Sequence, residues 1–194
     1  MLELRIATAD PWVTVVLDHF DDFLLDHAAC ERKASANAIS LVTHYPDRRE
    51  LVRRMIELAR EELLHFQQVH RLVDERGLLL ARDRKDPYLN VLLKKIRRGR
   101  EDYFLDRLLV GGVVEARGCE RFALIASALE KRGTDAELAA FYANLAESEA
   151  RHCDLFVDLA ERYFDTDTVG RRLSEWLDDE AHIVSELPFT AALH

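Results

Sequence analysis

The chain carries one sparse polar pattern twice: a lone glutamate, then Glu-x-x-His roughly thirty residues later. The first copy is Glu31 followed by Glu62 and His65; the second is Glu115 followed by Glu149 and His152. All of these residues fall on otherwise apolar helical stripes. Leu51, Met55, Leu58, Glu62, His65, Val69 and Leu72 keep a 4-3 spacing, as do Leu138, Tyr142, Leu145, Glu149, His152, Phe156, Leu159 and Tyr163. Two further stripes read Phe20, Leu24, Glu31, Ala38, Val42 and Leu108, Gly112, Glu115, Cys119, Phe122, Leu129. A fold that buries these faces must also bury four carboxylates and two imidazoles.

Helix punctuation supports four long helices. Asp10-Pro11 is a start signal, and a helix is predicted over about 18–44, stopped by Tyr45-Pro46. Asp47 is expected to cap the next helix, which runs to Arg76 and ends at Gly77. Asp86-Pro87 opens a short helix to about Ile96, broken near Arg98-Gly99. A third long helix is expected over 101–131, ending at Gly133, and a fourth, capped by Thr134 or Asp135, to about Phe164. A shorter piece over 168–182 and a tail with Pro188 follow.

The candidate ligands sit at matched depths. Glu31 lies about 15 residues before the first turn and Glu62 about 16 after it, so both are about 23 Å away at ~1.5 Å per residue. Glu115 and Glu149 lie about 27 and 23 Å from the Gly133 turn on the same basis. Antiparallel hairpins would bring each set to one level, and the three-residue step of Glu-x-x-His places both side chains on one face. An unpaired buried carboxylate costs several kcal/mol. Two divalent cations would neutralise four carboxylates, so a dinuclear metal site is the simplest way to bury them. Mixed carboxylate and imidazole ligands suit iron or manganese, and no cysteine pair in phase suggests a thiolate zinc site. Cys30 and Cys153 point off the ligand face, while Cys119 lies one turn beyond Glu115 as core filler or pocket wall.

Length and composition fit one domain over 1–194: the chain is long enough for a sizeable core, and seven Gly and four Pro leave room for long helices. No secretory signal or apolar run of membrane-spanning length is evident, and three cysteines, an odd number, suit free thiols in a reducing cytoplasm. A net charge of −9 argues against indiscriminate binding to nucleic acid or anionic membranes. Yet Arg82, Arg84, Lys85, Lys94, Lys95, Arg97, Arg98 and Arg100 form a basic island interrupted only by Asp83 and Asp86.

The segments Glu115-Ala-Arg-Gly-Cys-Glu-Arg-Phe122, Ser148-Glu-Ala-Arg-His152, Glu61-Glu-Leu-Leu-His-Phe66 and Asp26-His-Ala-Ala-Cys-Glu-Arg-Lys-Ala34 resemble the MiaE family of tRNA 2-methylthio-isopentenyladenosine hydroxylases. The resemblance covers about 8–176, with Gly118 where serine is expected and a chain shorter than some members. It implies an all-α, ferritin-like four-helix bundle with additional short helices, housing a non-haem di-iron monooxygenase. Such an enzyme would hydroxylate the isopentenyl group of the modified adenosine beside the tRNA anticodon, using O2 and two electrons. The expected ligands of two iron ions are Glu31, Glu62, His65, Glu115, Glu149 and His152, with manganese less favoured. Glu61 and Arg151 are candidates for orienting an imidazole. Lys94, Lys95, Arg97, Arg98 and Arg100, flanked by Tyr88 and Tyr103, are candidates for the tRNA anticodon loop. Gly111-Gly112 would either thin the wall for substrate entry or allow close helix packing. A ferredoxin/reductase-type electron donor, a cytoplasmic location and no membrane partner complete the expectation. The competing readings are iron storage or peroxide consumption by a ferritin- or rubrerythrin-like oxidase, and a metal-free helical interaction module.

Overall fold

The computed structural model describes residues 2–194. The described residues form helices α1 (Asp10–Asp18), α2 (Phe20–His44), α3 (Arg49–Glu75), α4 (Pro87–Lys94), α5 (Arg100–Arg132), α6 (Ala136–Tyr163) and α7 (Thr166–Glu186), and no strand. None of these helices is long and apolar enough to cross a membrane. The chain separates into two compact units. One comprises Val15–Arg84 with Thr190–Leu193; the other gathers the N-terminal segment through Thr14, Lys85–Phe189 and His194.

The first unit is built on the α2–α3 hairpin. Pro46, which has no N–H to continue the ladder, follows the last bonded residue, Tyr45, whose N–H reaches Leu41 O at 3.0 Å. The next helix begins at Arg49 with Arg48 at its N-cap position, one residue after the expected Asp47, which sits in the turn. A break at His19 also makes α1 and α2 separate helices. Phe23, Leu24, Ala28, Ala38 and Leu41 from α2, with Leu51, Met55, Leu58, Val69 and Val73 from α3, are buried. Val73 takes the core position expected of Leu72, the slip that a 3.6-residue turn imposes on a strict seven-residue repeat.

The second unit is built on the α5–α6 hairpin, with α4 and α7 packed in the same unit. Gly133 closes α5 in the left-handed region at φ 63°, its N–H bonded to Leu129 O at 3.0 Å. Asp135 then caps α6 by accepting the Leu138 N–H at 2.9 Å. Asp86, ahead of Pro87, caps α4 in the same way through the Leu89 N–H at 3.0 Å. Asp165 accepts from Thr168 N at 2.8 Å, so α7 starts earlier and runs longer than expected.

Two buried ionic clusters knit the second unit. Arg117, fully buried, donates to both Glu180 oxygens at 2.7 and 2.9 Å, to Thr8 Oγ1 at 3.1 Å, to Ile6 O at 3.0 Å and to Glu120. Asp106 accepts from Arg97 (2.8 Å from its backbone N–H), from Arg172 (2.8 and 2.9 Å) and from the Trp176 indole at 3.4 Å. Burial alone would raise the Asp106 carboxyl, but the hydrogen bonds from Arg172 and Arg97 outweigh it and hold it at about 2.

Candidate metal centre

Each hairpin gathers one copy of the repeated pattern. On α2 and α3, Glu31, Glu62 and His65 each offer a ligand atom, all within 4.8 Å of one another, and all three residues are buried. On α5 and α6, Glu115, Glu149 and His152 do the same within 4.8 Å, Glu115 half-buried and the other two buried. The Glu-x-x-His step works identically in both. His65 Nδ1 lies 3.5 Å from Glu62 Oε2, and His152 Nδ1 lies 2.9 Å from Glu149 Oε2. In each triad the same ring nitrogen therefore faces the carboxylate that precedes it by one turn.

The donor set fits a metal. Each triad sets two carboxylates and one imidazole side by side, all buried but the half-buried Glu115, where like charges this close repel unless a cation intervenes. Oxygen and nitrogen donors of this kind suit iron or manganese. Cysteine does not compete for that role. The Cys119 thiol is pushed up to about 11 by burial and then by Glu149, and it donates to Ala146 O at 3.2 Å, so it stays protonated in the α5–α6 packing. Cys153 is buried and Cys30 half-buried, its thiol directed at Asp26 Oδ2 at 3.7 Å.

A further residue contacts the first triad. His27, fully buried one turn before Glu31, has Nε2 at 2.6 Å from Glu31 Oε1. Its signal was visible as a polar residue in step with Phe23 and Glu31, but a histidine four residues from a glutamate is commonplace on helices. The Arg117–Glu180 and Asp106–Arg172 pairs were equally out of reach of helical periodicity, because their partners lie 63 and 66 residues apart.

The remaining candidates sort by exposure. Arg151 is exposed and donates to Glu147 O and Ser148 Oγ, both at 3.1 Å on its own helix, while Glu61 is half-buried on α3. Gly111 is a close-packing residue: a Cβ there would meet the Phe156 ring at 2.9–3.0 Å, and one at Gly112 would lie 3.4 Å from Phe156 Cβ. Lys94, Lys95, Arg98 and Arg100 are exposed, Lys95 bridging to Asp179 at 2.9 Å. Arg97 is half-buried, and its charge is committed to Asp106 at 2.9 Å and Asp102 at 3.0 Å. Tyr88, expected beside the basic segment as a flanking ring, is instead core: it is 1% exposed, reaches Glu180 Oε1 at 3.3 Å and stacks on His194 at 5.2 Å. Tyr103 is half-buried and accepts from Arg107 at 2.8 Å.

Comparison with known proteins places these features in a lineage. A solved structure described as protein 43 with aldehyde deformylating oxygenase activity, from Synechococcus, superposes with a TM-score of 0.91 at 34% identity, over 100% of this chain and 96% of that one. This bears out the all-α, ferritin-like fold class. The tRNA 2-(methylsulfanyl)-N(6)-isopentenyladenosine(37) hydroxylase of Pseudomonas putida is 38% identical over 168 residues, which are 87% of this chain and 80% of the relative. Its namesake in Salmonella typhimurium is 32% identical over 159 residues, 82% of this chain but only 56% of that protein. A family model described as tRNA-(MS[2]IO[6]A)-hydroxylase (MiaE) matches residues 2–194, and the chain belongs to that family.

Proposed function

We propose that the two triads close on one dinuclear iron centre in a single domain, and that the protein hydroxylates the isopentenyl group of 2-methylthio-isopentenyladenosine beside a tRNA anticodon. The observation that carries this reading is the paired set of Glu/Glu-x-x-His triads, one per hairpin and buried except for the half-buried Glu115, in a chain of this family. The names of both hydroxylase relatives support the substrate, and the oxygenase activity of the structural relative supports oxygen chemistry on such a scaffold.

Glu31, Glu62, His65, Glu115, Glu149 and His152 would hold the metals; manganese meets the same donors and is the lesser fit to an oxygenase. Bound iron supplies the activation of O2, with two electrons from an external donor of the ferredoxin/reductase type. The chain's own residues supply the rest. Burial of the ligands keeps water from the reactive site, and four carboxylates set against two divalent cations leave the pocket without net charge. Exposed Lys94, Arg98 and Arg100 offer charge to the phosphates of the anticodon loop. Lys95 and Arg97, through Asp179 and Asp106, fix the segment that presents them. Such a substrate puts the enzyme in the cytoplasm.

The test is an assay of iron-reconstituted protein with reductant, O2 and tRNA bearing the isopentenyl modification. Nucleoside mass spectrometry is expected to show one added oxygen on the modified adenosine, and none with Glu62→Ala. No oxygen gained by the wild type, with reduced iron confirmed in the protein, overturns the substrate assignment.

A further inference from the structure

We propose that His27 is a positioning residue that orients the Glu31 carboxylate and directs its Oε2 to a metal; the inference rests on the metal reading above. His27 is 0% exposed, and its Nε2 lies 2.6 Å from Glu31 Oε1. An ionised carboxylate only accepts hydrogen bonds, so Nε2 carries the proton and donates it. The four-residue step stacks the imidazole one turn below the carboxylate on the same face of α2. Phe23, also 0% exposed, holds the ring from the next turn down, at 5.8 Å between ring centroids.

The two oxygens of Glu31 therefore have different surroundings. Oε1 is engaged by His27, whereas Oε2 is the oxygen turned toward the triad, 3.7 Å from His65 Nδ1. The His27 hydrogen bond draws charge from Oε1 and holds the carboxylate in one orientation, which would make Oε2 the stronger donor to a metal. The second hairpin lacks this device. The position one turn before Glu115 is Gly111, which has no side chain and receives the Phe156 ring instead. No imidazole reaches Glu115 from there. The α2–α3 triad thus presents a carboxylate oriented by an imidazole one turn below it, a position that Gly111 occupies in α5.

Two near-isosteric variants separate donation from packing. In His27→Gln the side-chain amide keeps a donor near the Nε2 position; in His27→Met the volume stays and the donor is lost. Full-length wild type and both variants are titrated with Co(II), followed by visible absorption and calorimetry, with far-UV circular dichroism and melting as folding controls. Wild type is expected to bind two equivalents. H27M should bind one of them about 10–100-fold more weakly, with altered cobalt bands, and H27Q should stay close to wild type. In zinc-loaded wild type, imidazole 1H–15N spectra should show His27 as the Nε2–H tautomer, a readout that needs no variant. H27M and H27Q binding alike, or an Nδ1–H tautomer at His27, overturns the positioning role and leaves the metal reading intact. Wild type that takes up no cobalt overturns both.

Discussion

One turn before the lone glutamate, α2 carries His27 and α5 carries Gly111. From that point the two hairpins diverge, although each ends in the same Glu-x-x-His step. The ion pairs of the α2–α3 unit lie at the surface: Arg53 with Glu50 and Glu57, Arg76 with Asp21, Arg32 with Asp83. Its buried polar groups are the ligand triad and the histidine that braces it. In the α5–α6 unit buried charge extends beyond the ligands, to the Arg117–Glu180 and Asp106–Arg172 clusters. The same ligand code therefore rests on different supports, one braced locally by hydrogen bonding and one set in a unit pinned by long-range ion pairs.

The sharpest test of equivalence between the two codes is removal of one carboxylate from each. Glu62→Ala and Glu149→Ala should each lower hydroxylation at least ~100-fold, since even residues that only brace metal ligands cost up to that much. Activity and metal content are measured together. If one variant keeps wild-type iron and turnover, the two hairpins do not share one centre.

Next in size is the difference in support. Arg117→Met strands Glu180 in the core without its partner and should destabilise the protein by about 3–5 kcal/mol in urea titration. Arg53→Ala, which removes only exposed, solvent-screened pairs on α3, should leave the urea midpoint nearly unchanged. Recovery of much of the loss in Arg117→Met/Glu180→Leu would confirm that the stranded charge is the cause. Comparable costs for Arg117→Met and Arg53→Ala would erase the distinction between the units.

How much of this was legible in the sequence follows from the range of each interaction. The triads could be read because a glutamate in core phase violates its own stripe, and helical spacing makes the violation visible within a turn or two. Gly133, Pro46 and the Asp135 cap could be read because turns and caps are decided by adjacent residues. At the start of α3 the same local rule places the N-cap at Asp47, one residue ahead of Arg48, where the helix takes it. Tyr88 looked like a surface ring beside basic residues, but its partner Glu180 lies 92 residues on, and only tertiary packing brings it inside. Arg97 reads locally as one more cation of the basic segment, and its bond to Asp106, nine residues on, is likewise a product of the fold.

Asp106 makes the pinned unit sensitive to acid. Its carboxyl is held at about 2 against an ordinary 3.8. A depressed folded-state pKa gives stability that is fully present above the unfolded value and is lost as pH falls from about 4 to about 2, roughly 2 kcal/mol in all. Asp106→Asn should flatten that part of the stability profile, measured by urea midpoints across the range. An unchanged slope would mean that Arg97 and Arg172 do not hold the carboxylate as the geometry indicates.

The smallest effect returns to the twin positions. An alanine at Gly111 gains about 1 kcal/mol of helix propensity but drives its Cβ into the buried Phe156 ring. Overpacking of this kind costs about 1–3 kcal/mol, so Gly111→Ala should be net destabilising by about 1 kcal/mol. Gly118 is the internal control: it lies in the same helix, and a Cβ there meets nothing within 4 Å. Gly118→Ala should therefore gain about 1 kcal/mol. If Phe156 is the obstacle, introducing Gly111→Ala into Phe156→Leu should raise the urea midpoint instead of lowering it. A Gly111→Ala variant as stable as Gly118→Ala would remove the close α5–α6 approach as the reason for glycine. The contrast with His27 would then reduce to the imidazole alone.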